Sequence, residues 1–424
     1  MPRKVPTVAD LKPFLKVRKP ILDRTTSRLA RSQSVGDLAR FARRRVPKSV
    51  WEFVSGAAED EITLDENRRA LARVRFTPRA YGQVATPDIS TTILGRPAPS
   101  PIIIAPTGFT RLSHHEGESA VARAAEDAGA PYCLSTMATT SISDVADAAP
   151  GGRNWFQVYL MRDRSITEAQ LAEAKAAGYE ALMLTIDTPA TGLRRRDLRT
   201  GFDIPPRLTG RALLDMTVNP RWVYDLVTHE PLKFAALGEE SPFQRWGQSG
   251  VVVEQEMRPE HIAWLRERWD GPVIVKGVMS AEDAIDSVDA GAAGVVVSNH
   301  GGRQLDRTEA SITVLPRVRD AIGDRAEVYV DSGFRSGADI AAAIGLGADA
   351  VLIGRPYLYG LMMAGQDGVQ KCLQILRAEL RRTMMLLGTP TLRDIGPQHV
   401  SLAAPGAPEQ ADETGRSSRV GQAR

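Results

Sequence analysis

Cysteine is nearly absent from this sequence: Cys133 and Cys372 are the only two in 424 residues, and both sit in apolar surroundings. That excludes a disulfide framework and a cysteine zinc cluster, and it fits a reducing cytoplasm. Long apolar runs are missing too. No stretch reaches membrane-spanning length, and prolines and charges break the opening residues where a secretory signal would carry an apolar core. The formal net charge is only +3, so composition gives no footprint for nucleic acid. No H-x-x-x-H or carboxylate–histidine cluster supports a metal, so none is expected. No G-x-G-x-x-G follows the first apolar run, which weighs against a dinucleotide-binding open sheet.

What charge there is lies unevenly. Residues 1–31 carry nine Lys/Arg against two Asp, with Arg43, Arg44 and Arg45 close behind. Such a basic arm either touches an anionic membrane surface or is simply solvated, and the sequence leaves both open. The expected organisation is an arm at 1–33, one domain at 34–402, and an Ala/Pro/Gly-rich tail at 403–424 that reads as disordered.

The middle of the chain has ordinary globular composition, 43% hydrophobic and 25% charged. Short apolar runs alternate there with amphipathic segments. The runs are 101–105 (PIIIA), 132–135 (YCLS), 155–160 (WFQVYL), 181–186 (ALMLTI), 272–275 (PVIV), 294–297 (GVVV), 327–330 (EVYV) and 350–353 (AVLI). Their length and branched side chains suit strands buried on both faces. Between them, 118–127 stops at Gly129, 281–290 follows Ser280, and 338–344 follows Ser336, all with helix-terminus chemistry. Eight strand–helix units predict an α/β chain folded as a (β/α)8 TIM barrel over about 101–386. One connection is anomalous: more than eighty residues separate strand four from strand five. This insertion holds Trp222, Tyr224, Phe234, Phe243 and Trp246, and part of it is expected to fold over the barrel mouth.

In a TIM barrel the chemistry collects where strands end. The ends here supply Pro106, Thr107 and Gly108; Ser135 and Met137; Gln157 and Tyr159; Thr185 and Asp187; Lys276; Ser298 through Arg303; Asp331 through Arg335; and Gly354 with Arg355. Gly333 with Arg335 and Gly354 with Arg355 follow strands seven and eight, the usual phosphate site of the fold. Lys276 reads equally as a Schiff-base lysine, an ion-pair partner, or a charge facing an electron-accepting ring. His300, with Arg303 after it and Asp187 available from strand four, reads as a base. His114 and His115 lack a comparable neighbourhood.

These residues fall in a pattern. The run VSNHGGRQLD (297–306) resembles the signature of the FMN-dependent α-hydroxy-acid oxidases and dehydrogenases, and the flavin L-lactate dehydrogenases in particular. SGAAEDEITLDENRRA (55–70), ILGRPAPSPIIIAPTGF (93–109), LSTMATTS (134–141), FQVY (156–159), TIDTPATGLRRRD (185–197), VIVKGV (273–278), DSGFRSGADI (331–340) and IGRPYLYG (353–360) agree with it, so the similarity spans roughly 34–402.

The resemblance implies FMN held by Pro106, Thr107 and Gly108 at the ring and by Ser135, Gln157 and Thr185 at its edge. Lys276 would stabilise the reduced ring, Ser298 would touch the ribityl chain, and Asp331, Gly333, Arg335, Gly354 and Arg355 the ribityl and phosphate. It further implies Tyr159 on the substrate hydroxyl, Arg194 and Arg303 on its carboxylate, and His300 as base oriented by Asp187. Such a set answers what a 2-hydroxy carboxylate needs: a cation, a base at C2 and an electron sink.

Two positions depart from the family pattern. Phe53 stands where a tyrosine usually donates to the substrate carboxylate, and Ser332 where a second glycine is common. Met137 occupies a position that shapes the side-chain pocket. The expected partners are a small L-2-hydroxy acid (L-lactate foremost), an electron acceptor among oxygen, quinone and redox protein, and further copies of the chain. No heme-binding segment precedes the barrel, so a fused cytochrome acceptor is not expected. An FMN barrel of another class (isomerase or peptide-modifying) and a non-catalytic flavin-binding protein are the alternatives.

Overall fold

A computed structural model describes residues 21–82, 84–200, 215–237 and 253–403, together with Thr7 and Asp10. The apolar runs form eight strands: β1 Ile102–Ile104, β2 Tyr132–Ser135, β3 Asn154–Val158, β4 Ala181–Thr185, β5 Val273–Val278, β6 Gly294–Val297, β7 Glu327–Val330 and β8 Ala350–Ile353. Each pairs in parallel with the next, and β8 pairs with β1, closing a barrel in chain order.

Why these runs are apolar throughout follows from their two faces. Ile103, Cys133, Trp155, Met183, Ile274, Val296, Tyr329 and Leu352 point inward and fill the barrel. Ile102, Ile104, Leu134, Phe156, Leu182 and Val295 point outward and pack under the helices. A strand covered on both sides has no polar face to show. Cys133 sits in this interior, Cys372 is buried in the last helix, and both are free.

The helices begin and end where the sequence signalled. Gly117–Ala128 stops at Gly129, whose φ of 61° is the left-handed cap glycine takes without strain. Ser280 caps Ala281–Asp289 through the Asp283 N–H, and Ser336 forms a reciprocal capping box with Asp339 on Gly337–Gly345. The final helix, Arg355–Leu387, is broken at Ala364 and Gly365.

Four strands differ in their limits from expectation, the first and fourth only by a terminal residue at one or both ends. The third run ends at Val158, because Tyr159 turns its N–H to the Thr136 hydroxyl. The fifth continues to Val278 through an irregularity at Gly277, whose missing side chain leaves room for Asp187: a Cβ there would lie 2.7 Å from that residue.

The barrel is open at one end only. An antiparallel hairpin, Thr91–Ile93 with Arg96–Ala98, inserts Ile93 and Ala98 into the interior cluster at the strand starts. Arg153 holds it there, donating to the Ile93 carbonyl at 2.7 Å while pairing with Glu180 at 2.6 Å. Before the barrel, helices Val35–Ala42, Lys48–Ser55 and Ile62–Ala72 wrap its flank, the first packing on the final helix. Asp306 pins the turn between the last two by accepting from the N–H groups of Asp60, Ile62 and Thr63. That turn brings Phe53 to the open end.

Of the insertion, Phe234 reaches the barrel mouth, as expected, while Trp222 is buried with its indole N–H on the Leu112 carbonyl. Tyr224 is exposed. Phe243, Trp246, most of the basic arm and residues 404–424 lie outside the described residues.

Candidate active site

The strand ends enclose a cavity of about 810 Å³. Of the residues singled out from sequence, Phe53, Pro106, Thr107, Gly108, Ser135, Met137, Gln157, Tyr159, Thr185, Arg194, Lys276, His300, Arg303, Asp331, Gly333, Arg335, Gly354 and Arg355 line it. Asp187 and Ser298 stand directly behind this wall.

The loop after β6 carries the central group. Asn299 accepts from the Gly302 N–H, and a single tight turn, His300–Gly302, follows. His300 itself has φ 56°, a conformation a non-glycine residue holds only when its surroundings enforce it. They do: its N–H donates to the Ser298 hydroxyl at 3.0 Å, and the Gly301 N–H donates to the Ser332 hydroxyl at 2.9 Å. His300 Nδ1 lies 3.1 Å from both Asp187 oxygens. Burial pushes the Asp187 carboxyl up, but His300 and Lys276 outweigh it and hold the group below the usual carboxylate range. An ionised Asp187 accepts from Nδ1–H, which leaves Nε2 as the basic nitrogen of the ring.

Lys276 on β5 is buried, with Nζ 2.9 Å from the Ser298 hydroxyl and 3.2 Å from Asp331 Oδ2. Burial alone lowers an ammonium, yet the Asp331 and Asp187 carboxylates raise it above its ordinary value. It stays protonated, which removes the Schiff-base reading.

At the cavity's other side stand two arginines. Arg194 pairs with Asp197 at 3.0 Å, and Arg303 donates to the carbonyls of Phe53 and Gly56. Both guanidiniums lie over the Phe53 ring, 5.4 and 5.2 Å from its centroid. Burial, then Arg194 and Arg355, push Arg303 well below its ordinary value, and Asp197 only partly offsets them. Burial raises the Tyr159 hydroxyl, and Asp187 adds to this, so the phenol keeps its proton.

The remaining wall fits FMN. Gln157 Oε1 accepts from Ser135 and from the Thr136 N–H, which fixes the amide and leaves the buried Nε2 without a partner. The Thr185 hydroxyl is likewise buried and unpartnered. Two orphaned polar groups on one wall of an open cavity require a ligand with matching acceptors and donors. Arg335 and Arg355 supply positive charge near Gly333 and Gly354. Burial pushes Arg355 down to about 10; Tyr359 opposes this and Arg335 adds to it. Arg355 is also structural, donating to the carbonyls of Val54, Gly56 and Gly301. Thr107 spends its hydroxyl on Tyr357 and Thr110, so only its backbone and methyl face the cavity freely.

Phe109 and Val253 had no sequence signal strong enough to single them out, whereas Phe234 was expected at the mouth. Phe109, Phe234 and Val253 form an apolar cluster with Met137 and Tyr159, and Phe109 meets Phe234 edge-on at 4.3 Å. Asp197 and Gln304 were inside recognised motifs but were not singled out. The Gln304 amide ties the loop after β4 by donating to the carbonyls of Asp187 and Ala190. Ser332, φ 78°, links Asp331 to the His300 loop, a positive role for an apparent departure.

The comparisons with known proteins agree with this geometry. A family model described as FMN-dependent dehydrogenase matches residues 42–402. The chain is 44% identical over 404 residues to a Mycobacterium tuberculosis protein named "Putative L-lactate dehydrogenase", covering 94% of this chain and 96% of the relative. It is 39% identical to glycolate oxidase of Spinacia oleracea, covering 91% and 98%. Among solved structures, the monotopic membrane protein (S)-mandelate dehydrogenase superposes with a TM-score of 0.83 at 36% identity, covering 88% of this chain and all of that one. The chain therefore belongs to the FMN-dependent dehydrogenase family of 2-hydroxy-acid oxidoreductases, with FMN as its cofactor.

Proposed function

We propose that the chain oxidises L-lactate, or an L-2-hydroxy acid of similar size, to the 2-oxo acid. The observation that carries this is the juxtaposition of the His300–Asp187 pair with Arg194 and Arg303 around one cavity. The two guanidiniums hold a single carboxylate, and Tyr159 donates to the hydroxyl on C2. His300 takes a proton at Nε2, and Asp187 stabilises the imidazolium that results. Gln157, Thr185, Lys276, Arg335 and Arg355 are the residues we assign to FMN, which when bound accepts the two electrons leaving the substrate. The electropositive Lys276 favours charge developing beside it.

A second reading concerns the substituent on C2. Met137, Phe109 and Phe234 present an apolar wall, which favours a bulkier side chain than methyl. An anaerobic comparison of L-lactate, D-lactate and (S)-mandelate, following loss of flavin absorbance, decides between them. Our reading expects L-lactate to reduce the flavin fastest and D-lactate not at all. Faster reduction by mandelate would assign the larger substrate, and no reduction by any L-2-hydroxy acid would overturn the proposal.

A further inference from the structure

A second cavity, of about 580 Å³, adjoins the first, with Ser113 lining both. Residues from four distant stretches build it: 22–28, 44–45, 111–115 and 218–232, along with Met362. Six arginines line it: Arg24, Arg28, Arg44, Arg45, Arg111 and Arg221. Only Asp23, Asp225 and Glu230 oppose them.

These carboxylates do not neutralise the arginines. Asp23 caps the helix Arg24–Arg31 by accepting from the Thr26 N–H, and Asp225 lies 3.5 Å from His115 Nδ1. Among the described residues, none of the six arginines forms an ion pair within 4.0 Å. Arg45 donates to the Met363 carbonyl and the Thr25 hydroxyl, and Arg111 to the Glu230 carbonyl. One wall is a column of imidazoles, His114 on His115 at 4.4 Å and His115 on His229 at 4.3 Å. Burial, then His115, push His114 down to about 4, with Arg45 and Arg221 adding to the effect, so it is neutral at neutral pH.

Six arginines against three carboxylates leave the concavity net positive, and the field focused there attracts an anion. The proposed substrate, with one carboxylate, does not match this charge. An arginine fork matches phosphate oxygens two at a time, and several forks around one cavity suit more than one negative charge. We infer that this cavity is a binding site for a phosphorylated anion carrying two or more negative charges, gripped by Arg44, Arg45, Arg111 and Arg221 beside the histidine column.

The site joins four segments: the helix Arg24–Arg31, the turn at Arg44 and Arg45, the insertion helix Pro220–Thr228, and the loop after β1. That loop also carries Phe109, which packs on Phe234 in the active-site wall. An occupant therefore fastens the wall of the first cavity from behind.

The test uses FMN-loaded protein titrated with inorganic pyrophosphate by calorimetry at fixed ionic strength, so its readout does not depend on which acid is oxidised. Saturable one-site binding is expected. Arg44→Glu and Arg221→Glu change exposed side chains without ion pairs, so the fold survives, and each should weaken binding by at least about tenfold. Flavin reduction without pyrophosphate should be unchanged in both. Co-sedimentation with vesicles containing cardiolipin, whose headgroup carries two phosphodiester charges, set against phosphatidylcholine vesicles, separates the sources. Retention that pyrophosphate releases and Arg221→Glu abolishes identifies a lipid headgroup, and pyrophosphate binding without retention identifies a soluble ligand; both support the site. Absence of saturable pyrophosphate binding, or equal affinity in wild type and both variants, overturns it whatever the vesicles do.

Discussion

Replacing Phe53 in two directions separates its ring from the hydroxyl that this position lacks. The ring lies under Arg194 and Arg303, at 5.4 and 5.2 Å, and is itself buried. A guanidinium over an aromatic face gains about 0.5–1 kcal/mol where solvent still reaches it. Two such contacts hold the pair we propose for the carboxylate in place with about 1–2 kcal/mol, so Phe53→Leu should weaken L-lactate binding by about 5- to 30-fold. Phe53→Tyr keeps both ring contacts and adds a donor. A hydrogen bond to a charged group contributes about 1.5–3 kcal/mol, which corresponds to roughly 10- to 150-fold tighter binding. Neither change touches His300, so the limiting rate of flavin reduction should stay within a few-fold of wild type. The assay is stopped-flow reduction under anaerobic conditions, with the dissociation constant taken from the concentration dependence and the fold checked by circular dichroism. Well-folded variants that both bind L-lactate like wild type would show that Phe53 is ordinary core and refute the reasoning.

Two further substitutions probe what holds the site together. Asp306→Asn removes the charge that three backbone N–H groups share, so it should cost about 1–3 kcal/mol in urea denaturation and loosen FMN retention; an unchanged midpoint would remove the clamp from the account. Ser332→Ala loses the bond from Gly301 and keeps the left-handed backbone, whereas Ser332→Gly loses the bond but relieves about 1–2 kcal/mol of strain. The glycine variant should therefore be the more stable of the two by about 1 kcal/mol or more, and the reverse order would contradict the strain argument.

Much of the barrel was legible because burial on both faces leaves a strand no choice of polarity, and because serine and glycine mark helix ends locally. β2, β6, β7 and β8 match their apolar runs residue for residue. The rim followed from the strands, since each strand end places the next few residues in the mouth. What stayed hidden was set by contacts between distant segments. Ser332 looked like a neutral departure because its partner, Gly301, sits on another loop. His114 and His115 seemed isolated because their neighbours, His229 and Arg221, arrive through an insertion about a hundred residues further along the chain. The packing of both arginines on Phe53 likewise depends on a helix outside the barrel, and no local pattern encodes it.

We propose that His300, oriented by Asp187, takes the proton that lets substrate electrons leave. The limiting rate of anaerobic flavin reduction by L-lactate in FMN-loaded His300→Ala tests this directly. Flavin content like wild type and a rate at least about 10²-fold slower are expected. A folded, flavin-loaded His300→Ala protein that is reduced at the wild-type rate would contradict it.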